Sequence, residues 1–175
     1  MLLLGVATVA VLVLGGLGAW RGAHWCHDRA IERRIDRYSD SIWRYAQQNS
    51  LPTGLVRAVI RAESGGDPTA VSSKGARGLM QIMPAAEEDA LLRLRIPKGD
   101  LFDPDYNIRI GTTYLRILSD RFDDDPWLTL SACNMGPTRV QRIVDANPGR
   151  SGRELVEEFA PPVTVRYCRG ILGVR

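Results

Sequence analysis

Glu63 closes an apolar run, Leu55-Val56-Arg57-Ala58-Val59-Ile60-Arg61-Ala62, and Gly65-Gly66 follows it at once. Leu55, Val59 and Ala62 recur at helical spacing, with Pro52 near the start and the glycines as the stop. A glutamate at the C-terminal end of such a helix feels two effects of one sign. The helix end carries partial negative charge, and apolar neighbours disfavour the ionised form by desolvation. Both raise the pKa, and a carboxyl group that keeps its proton near neutral pH is what acid-catalysed glycosidic cleavage needs. The competing reading is a solvated glutamate paired with Arg61 or another arginine, and composition alone favours that one. Asp67 is the next acid along the chain, but Asp67-Pro68 reads as a turn and is assigned no chemistry. The cluster His24-Trp25-Cys26-His27 holds both histidines of the chain. It has no second half-site, and zinc sites take about four ligands, so no metal is expected.

The twenty residues after Glu63 change the balance. They run Glu63-Ser64-Gly65-Gly66-Asp67-Pro68, Ala70-Val71-Ser72, then Gly75-Ala76-Arg77-Gly78-Leu79-Met80-Gln81-Ile82-Met83-Pro84. Further along come Asp103-Pro104, Asn107-Ile108, Gly111, Tyr114-Leu115, Ala132-Cys133-Asn134-Met135-Gly136 and Arg166-Tyr167. In type and order these segments resemble the lytic transglycosylases of the soluble, lysozyme-like type, over roughly residues 38–175. The resemblance implies a mainly α, lysozyme-like domain that cleaves the bond between N-acetylmuramic acid and N-acetylglucosamine in peptidoglycan. It implies that Glu63 acts first as acid and then as base, giving a 1,6-anhydro product without consuming water or needing a cofactor. By the same resemblance Ser64, Ser72, Gln81, Met83, Asn134 and Tyr167 are the expected substrate-side residues, Tyr167 orienting the acid or touching sugar. Blander roles stay open: Met80 and Met83 as core filler, Asn134 as a cap on the Met135-Gly136 turn, Gly75 and Gly78 as backbone devices. Cys133 departs from the family, which usually has tyrosine there. It is expected as a buried free thiol, with pairing to Cys168 as the alternative.

These residues need elements to hold them. Ile31, Ile35, Tyr38, Ile42 and Tyr45 mark one amphipathic helix, broken at Asn49 to Pro52. Residues 65–84, rich in Gly, Ser and Pro, read as an irregular folded-back segment. Asp103-Pro104 and Asp125-Pro126 each open a helix, and Gly136-Pro137 ends the second. Ser151 and Glu154 form a capping box, Pro161-Pro162 ends that helix, and Val163 to Leu172 makes one more. No stretch alternates well enough for a large sheet.

The remaining bounds come from composition. With 175 residues, 45% hydrophobic and 25% charged, the chain suits one ordinary domain and is not disordered. A net charge of +3 and scattered arginines give no basic stripe for nucleic acid. Residues 1–20 carry no charge and could span a hydrocarbon core of about 30 Å. No basic residue precedes the run, and Leu17 and Ala19 half-match a cleavage site, so an inner-membrane anchor is favoured over a signal peptide. Trp20 and Trp25 suit the membrane interface, and residues 21–37 are expected as a linker or helix start. Arg21, Arg29, Arg33, Arg34 and Arg37 follow the run and by charge alone favour a cytoplasmic flank, whereas peptidoglycan chemistry requires a periplasmic domain. The expected partners are glycan strands, the cytoplasmic membrane and cell-envelope machinery. Two alternatives remain: a goose-type lysozyme or endolysin hydrolase of the same fold, and a glycan-binding scaffold with catalysis reduced through Cys133.

Overall fold

The computed structural model describes residues 28–174. The segment expected to anchor the chain and the His24-Trp25-Cys26-His27 cluster lie outside them. Among the described residues no helix is long and apolar enough to cross a membrane.

The chain folds as α1 (28–36), α2 (Ser39–Gln48), α3 (Thr53–Ser64), α4 (Pro84–Leu94), α5 (Pro104–Arg121), α6 (Pro126–Met135), α7 (Pro137–Ala146), α8 (Gly152–Phe159) and α9 (Pro162–Leu172). The single helix expected from Ile31 to Tyr45 is two helices. Ser39 Oγ donates to the Asp36 carbonyl at 2.9 Å, and Tyr38 N–H donates to the Ile35 carbonyl at 3.0 Å. A hydroxyl that competes for backbone groups turns the chain there. Residues 28–36, inside the stretch expected as a linker or helix start, form a helix that belongs to the packed body, since Ile35 is fully buried. Their acidic face meets α3: Arg57 pairs with Glu32 at 2.8 Å and Asp36 at 2.6 Å, and Arg61 pairs with Glu32 and Asp28.

The core is built around α5 and α6. Ile108, Ile110, Leu115 and Leu118 of α5 are buried, and every residue of α6 from Trp127 to Ala132 is buried. Over that stretch α6 has no solvent face, and it packs against α5, α7, α8 and α9. The Asp-Pro starts form as expected. Asp103 accepts from Tyr106 N–H at 2.7 Å and Asp125 from Leu128 N–H at 2.9 Å, each followed by proline in the first turn. The capping box closes with Ser151 N–H donating to Glu154 at 2.9 Å. We expect Ser151→Ala to cost about 1 kcal/mol, lowering Tm by about 2–4 °C in a thermal melt without touching activity.

Two helices go beyond the sequence reading. The device Gly136-Pro137 ends α6 and also starts α7, with proline in its first turn. Met83-Pro84 opens α4 in the same way. The only extended pairing among the described residues is a pair of isolated bridges, Val71 to Arg77 and Arg77 to Ile82.

Candidate active site

The site begins where α3 stops. Gly65, at φ 59°, ends the helix and donates to the Arg61 carbonyl at 3.2 Å. Ser64 Oγ donates to the Leu79 carbonyl at 2.8 Å and accepts from Gly66 N–H at 3.2 Å. The residue after the acid therefore clasps the α3–α4 segment onto the helix end.

That segment is irregular in outline and held throughout by its own polar groups. Asp67 accepts from both the backbone and the hydroxyl of Thr69, at 2.9 and 2.8 Å, which makes it a turn former. Ser72 Oγ accepts from Ala76 N–H at 3.0 Å. Gln81 sits at φ 47°, and its side-chain amide donates to the carbonyls of Ala70 and Gly78, both at 3.0 Å. Asn107, fully buried on α5, serves three backbone groups. Its oxygen accepts from Met80 N–H at 2.8 Å, and its nitrogen donates to the carbonyls of Leu101 at 2.8 Å and Arg77 at 3.0 Å. Gly78 is required here: a Cβ on it would lie 2.2 Å from Asn107 Nδ2, at φ +74°.

Glu63 is half-buried, and Arg61 is occupied by Glu32 and Asp28. The competing reading, an ion pair between Glu63 and Arg61, has no counterpart among the described salt bridges. Instead Tyr167 of α9 donates its hydroxyl to Glu63 Oε1 at 2.6 Å. Burial raises the Glu63 pKa above the ordinary glutamate value, and the Tyr167 hydrogen bond pulls part of the way back. Cys133 of α6 adjoins the pair. Its thiol is pushed up to about 12, by burial first and then by the Glu63 charge, so it stays protonated. Burial first, and then the Glu63 carboxylate with its hydrogen bond, drives the Tyr167 ionisation far upward as well. The phenol thus remains a donor throughout the range in which the carboxyl titrates.

The structure brings together Glu63, Tyr167 and Cys133. Ser64, Ser72 and Gln81 hold the adjoining backbone. Met83 is exposed directly before α4, whereas Met80 is buried core. Asn134 accepts from the buried Thr164 hydroxyl at 2.8 Å, which ties the end of α6 to α9. Cys133 and Cys168 are both free thiols, and Cys168 lies 3.4 Å from Ser131 Oγ. Asn107 is the residue the sequence reading left without a role. Its signal was a polar side chain among Ile108, Ile110 and Leu115 on one helix. Among the described residues no group of three or more His, Cys, Asp or Glu side chains is placed to hold a metal ion.

Chemically, this is one carboxyl group whose pKa burial lifts above the ordinary glutamate value, with a fixed neutral donor beside it. It can protonate a leaving oxygen and then accept a proton in turn. We expect Tyr167→Phe to raise the Glu63 pKa further and to move the pH–rate profile alkaline. Losing one charge-assisted hydrogen bond should lower kcat by about tenfold to a hundredfold.

A family model described as the Transglycosylase SLT domain matches residues 40–156. The chain belongs to this family. Its fold is the mainly helical, lysozyme-like fold of SLT domains. The chain is 35% identical over 158 residues to the soluble lytic murein transglycosylase of Escherichia coli K12, covering 87% of this chain and 24% of that protein. It is 29% identical over 131 residues to membrane-bound lytic murein transglycosylase E of Buchnera aphidicola, covering 68% of this chain and 59% of the relative. Among solved structures, the complex of the 70-kDa soluble lytic transglycosylase with bulgecin A superposes with a TM-score of 0.73 at 32% identity, covering 81% of this chain and 24% of that one. The lytic transglycosylase Slt of Pseudomonas aeruginosa, solved as an inactive glutamate-to-glutamine mutant, gives 0.71 at 29% identity, covering 76% of this chain and 22% of that one. The SLT chain described here thus spans about a quarter of the length of the soluble relatives. The family match ends at residue 156, so Tyr167 lies beyond it.

Proposed function

We propose that this SLT chain is a peptidoglycan lytic transglycosylase with Glu63 as its single acid–base group. Protonated Glu63 gives its proton to the oxygen joining N-acetylmuramic acid to N-acetylglucosamine, and that bond breaks. The substrate's N-acetyl group stabilises the positive charge at C1. Glu63, now a carboxylate, takes the proton of the muramic O6 hydroxyl, and O6 closes on C1 as a 1,6-anhydro ring. The proton returns to Glu63, and no water is consumed. The two-carboxylate mechanism of ordinary glycosidases requires a second acid. Here Asp67, the next acid along, is engaged in its turn with Thr69.

The observation that carries this reading is the half-buried Glu63 with the Tyr167 hydroxyl 2.6 Å from Oε1. Ser64, Ser72, Gln81, Met83, Asn134 and Tyr167 form the substrate side: Met83 and Asn134 as exposed sugar contacts, the others by shaping the walls. The test is digestion of purified peptidoglycan followed by mass spectrometry of the released muropeptides. Anhydro-muramic ends are expected. Reducing ends would make the protein a hydrolase, and no release at all would favour a glycan-binding scaffold.

We further propose that residues 1–20 anchor the protein in the inner membrane, with residues 38–175 as the catalytic domain on the periplasmic side. The uncharged length of that segment supports this, as does the presence of membrane-bound lytic murein transglycosylases among the relatives. Tethering would confine cleavage to glycan near the membrane, where it could open a gap for envelope machinery. A C-terminal reporter active only outside the cytoplasm should give signal, and a silent reporter would reverse the orientation.

A further inference from the structure

Helix α1 (28–36) lies ahead of residues 40–156, the segment the family model matches, yet it packs on the helix that carries the acid. Asp28, Glu32 and Asp36 recur every fourth residue and so share one face of α1. Across from them, Arg57 and Arg61 of α3 take all three carboxylates. Ile35 is fully buried and Ile31 packs against the core, so α1 has an apolar face as well.

That apolar face ends on the two glycines that follow Glu63. Both hold left-handed backbone, Gly65 at φ 59° and Gly66 at φ 77°. A helix stop needs one such residue, and Gly65 supplies it. Gly66 meets a further demand. A Cβ there would lie 2.9 Å from Arg34 Cβ, 3.1 Å from Ile35 Cγ1 and 3.3 Å from the Ile35 backbone nitrogen. The bare backbone at position 66 is what lets α1 come so close. At Gly65 the nearest atoms to such a Cβ belong to Ile31, at 3.8 and 3.9 Å, which is ordinary contact. From Gly66 the contact passes to the clasp: its N–H donates to Ser64 Oγ, and that hydroxyl donates to the Leu79 carbonyl.

Glu63 itself sits in the last turn of α3, where intrahelical hydrogen bonds run out and helices fray. A catalytic group has to be held within about 0.5 Å of its working position. We propose, on the reading of Glu63 as the acid, that α1 is a brace that positions it. Ile31 and Ile35 bear on the glycine stop, Asp28, Glu32 and Asp36 grip α3, and the carboxyl is thereby kept against the Tyr167 hydroxyl. Ile31, Glu32 and Ile35 are positioning residues that act through the end of α3.

The test compares Ile31→Ala, Ile31→Val and Glu32→Gln in the full chain, with Ser151→Ala as a control for stability alone. Two quantities are measured: muropeptide release from peptidoglycan well below each melting point, and the titration of the Glu63 carboxyl by carbon-13 NMR. Ile31→Ala should lower kcat by about tenfold at unchanged KM, since a misplacement of about 1 Å can cost about a hundredfold. Ile31→Val keeps most of the contact and should restore most of the rate. Glu32→Gln removes surface ion pairs that contribute little to stability, so it folds, and its kcat should fall by about threefold. In Ile31→Ala and Glu32→Gln the Glu63 midpoint should fall toward the ordinary glutamate value. Solvent reaching a loosened helix end removes burial, the larger of the two effects on that carboxyl. Ser151→Ala should move neither quantity. An unchanged midpoint in both Ile31→Ala and Glu32→Gln would overturn the proposal whatever the rates do, and so would a moved midpoint at wild-type kcat. Wild-type protein that released no muropeptides would sink the catalytic reading, and the midpoints alone would then decide whether α1 positions the carboxyl.

Discussion

Glu63→Gln should reduce peptidoglycan cleavage by about a thousandfold or more while leaving the fold intact. General acid catalysis contributes about 10²–10⁴ in rate, and in the proposed mechanism one carboxyl supplies both proton transfers. Gln keeps the shape and can still accept the Tyr167 hydroxyl bond, so the loss reports on the proton and not on packing. Stability should move the other way. Burial raises the Glu63 pKa in the folded state. Between the unfolded and folded values the native protein therefore binds more protons than the unfolded chain, and the contribution of this group to stability falls as pH rises through that window. A neutral glutamine removes that penalty, so the Tm of the variant at neutral pH should match or exceed that of the wild type. Parallel melts and muropeptide release settle both halves. A variant that still releases anhydro-muropeptides at wild-type rate would remove Glu63 from the mechanism.

Local chemistry explains which parts of this architecture could be read in advance. The Asp103-Pro104 and Asp125-Pro126 starts, the Gly65 stop and the Ser151–Glu154 box each depend on residues within four positions of one another. Such devices are visible in any sequence window. Helices α4 and α7 were not visible, for different reasons. In α7 the same two residues stop one helix and start the next, and a reading that assigns Gly136-Pro137 to the stop has none left for the start. Helix α4 hides because its burial breaks pattern: Leu92 is 77% exposed, while Glu87 is buried. Glu87 is tolerated inside only because Tyr106 donates to it at 2.9 Å and Lys98 pairs with it at 3.0 Å, both from beyond the helix. The scattered arginines have the same kind of explanation. Arg57, Arg61, Arg93, Arg116, Arg150 and Arg153 each meet an acid on the folded surface. At the site, the helix end singled out Glu63 as a candidate, but only the following motif lifted it above an ion-paired glutamate, and its neighbour Tyr167 lies 104 positions away in sequence. Only the resemblance to a known family pointed to Tyr167, because no local pattern can place two residues so distant.

Asn107→Ala should be the most damaging change outside Glu63, although Asn107 is fully buried. Its amide joins three backbone groups, Met80 N–H and the carbonyls of Arg77 and Leu101, which belong to segments on both sides of α4. Truncation leaves Met80 N–H and the Leu101 carbonyl unpaired at about 1–3 kcal/mol each where they are buried, while the Arg77 carbonyl keeps the Ile82 N–H at 2.9 Å, and it opens space beside Gly78. We expect a loss of about 3–5 kcal/mol and a fall in Tm of about 10 °C. The activity should fall further than stability alone explains. Met80 follows Leu79, whose carbonyl receives the Ser64 hydroxyl next to Glu63, so loosening Met80 loosens the clasp at the acid. Asn107→Asp separates this account from a simple volume effect. Aspartate has nearly the same size and keeps an acceptor for Met80 N–H, yet it sets a carboxylate oxygen against two carbonyls that need a donor. If the role is donation, Asn107→Asp should be as harmful as Asn107→Ala in thermal melts at neutral pH and should recover in part at low pH, where a protonated carboxyl can donate again. If the Asn107→Asp variant instead melts like the wild type at neutral pH, the amide is only filling space and the clasp must be held by other contacts.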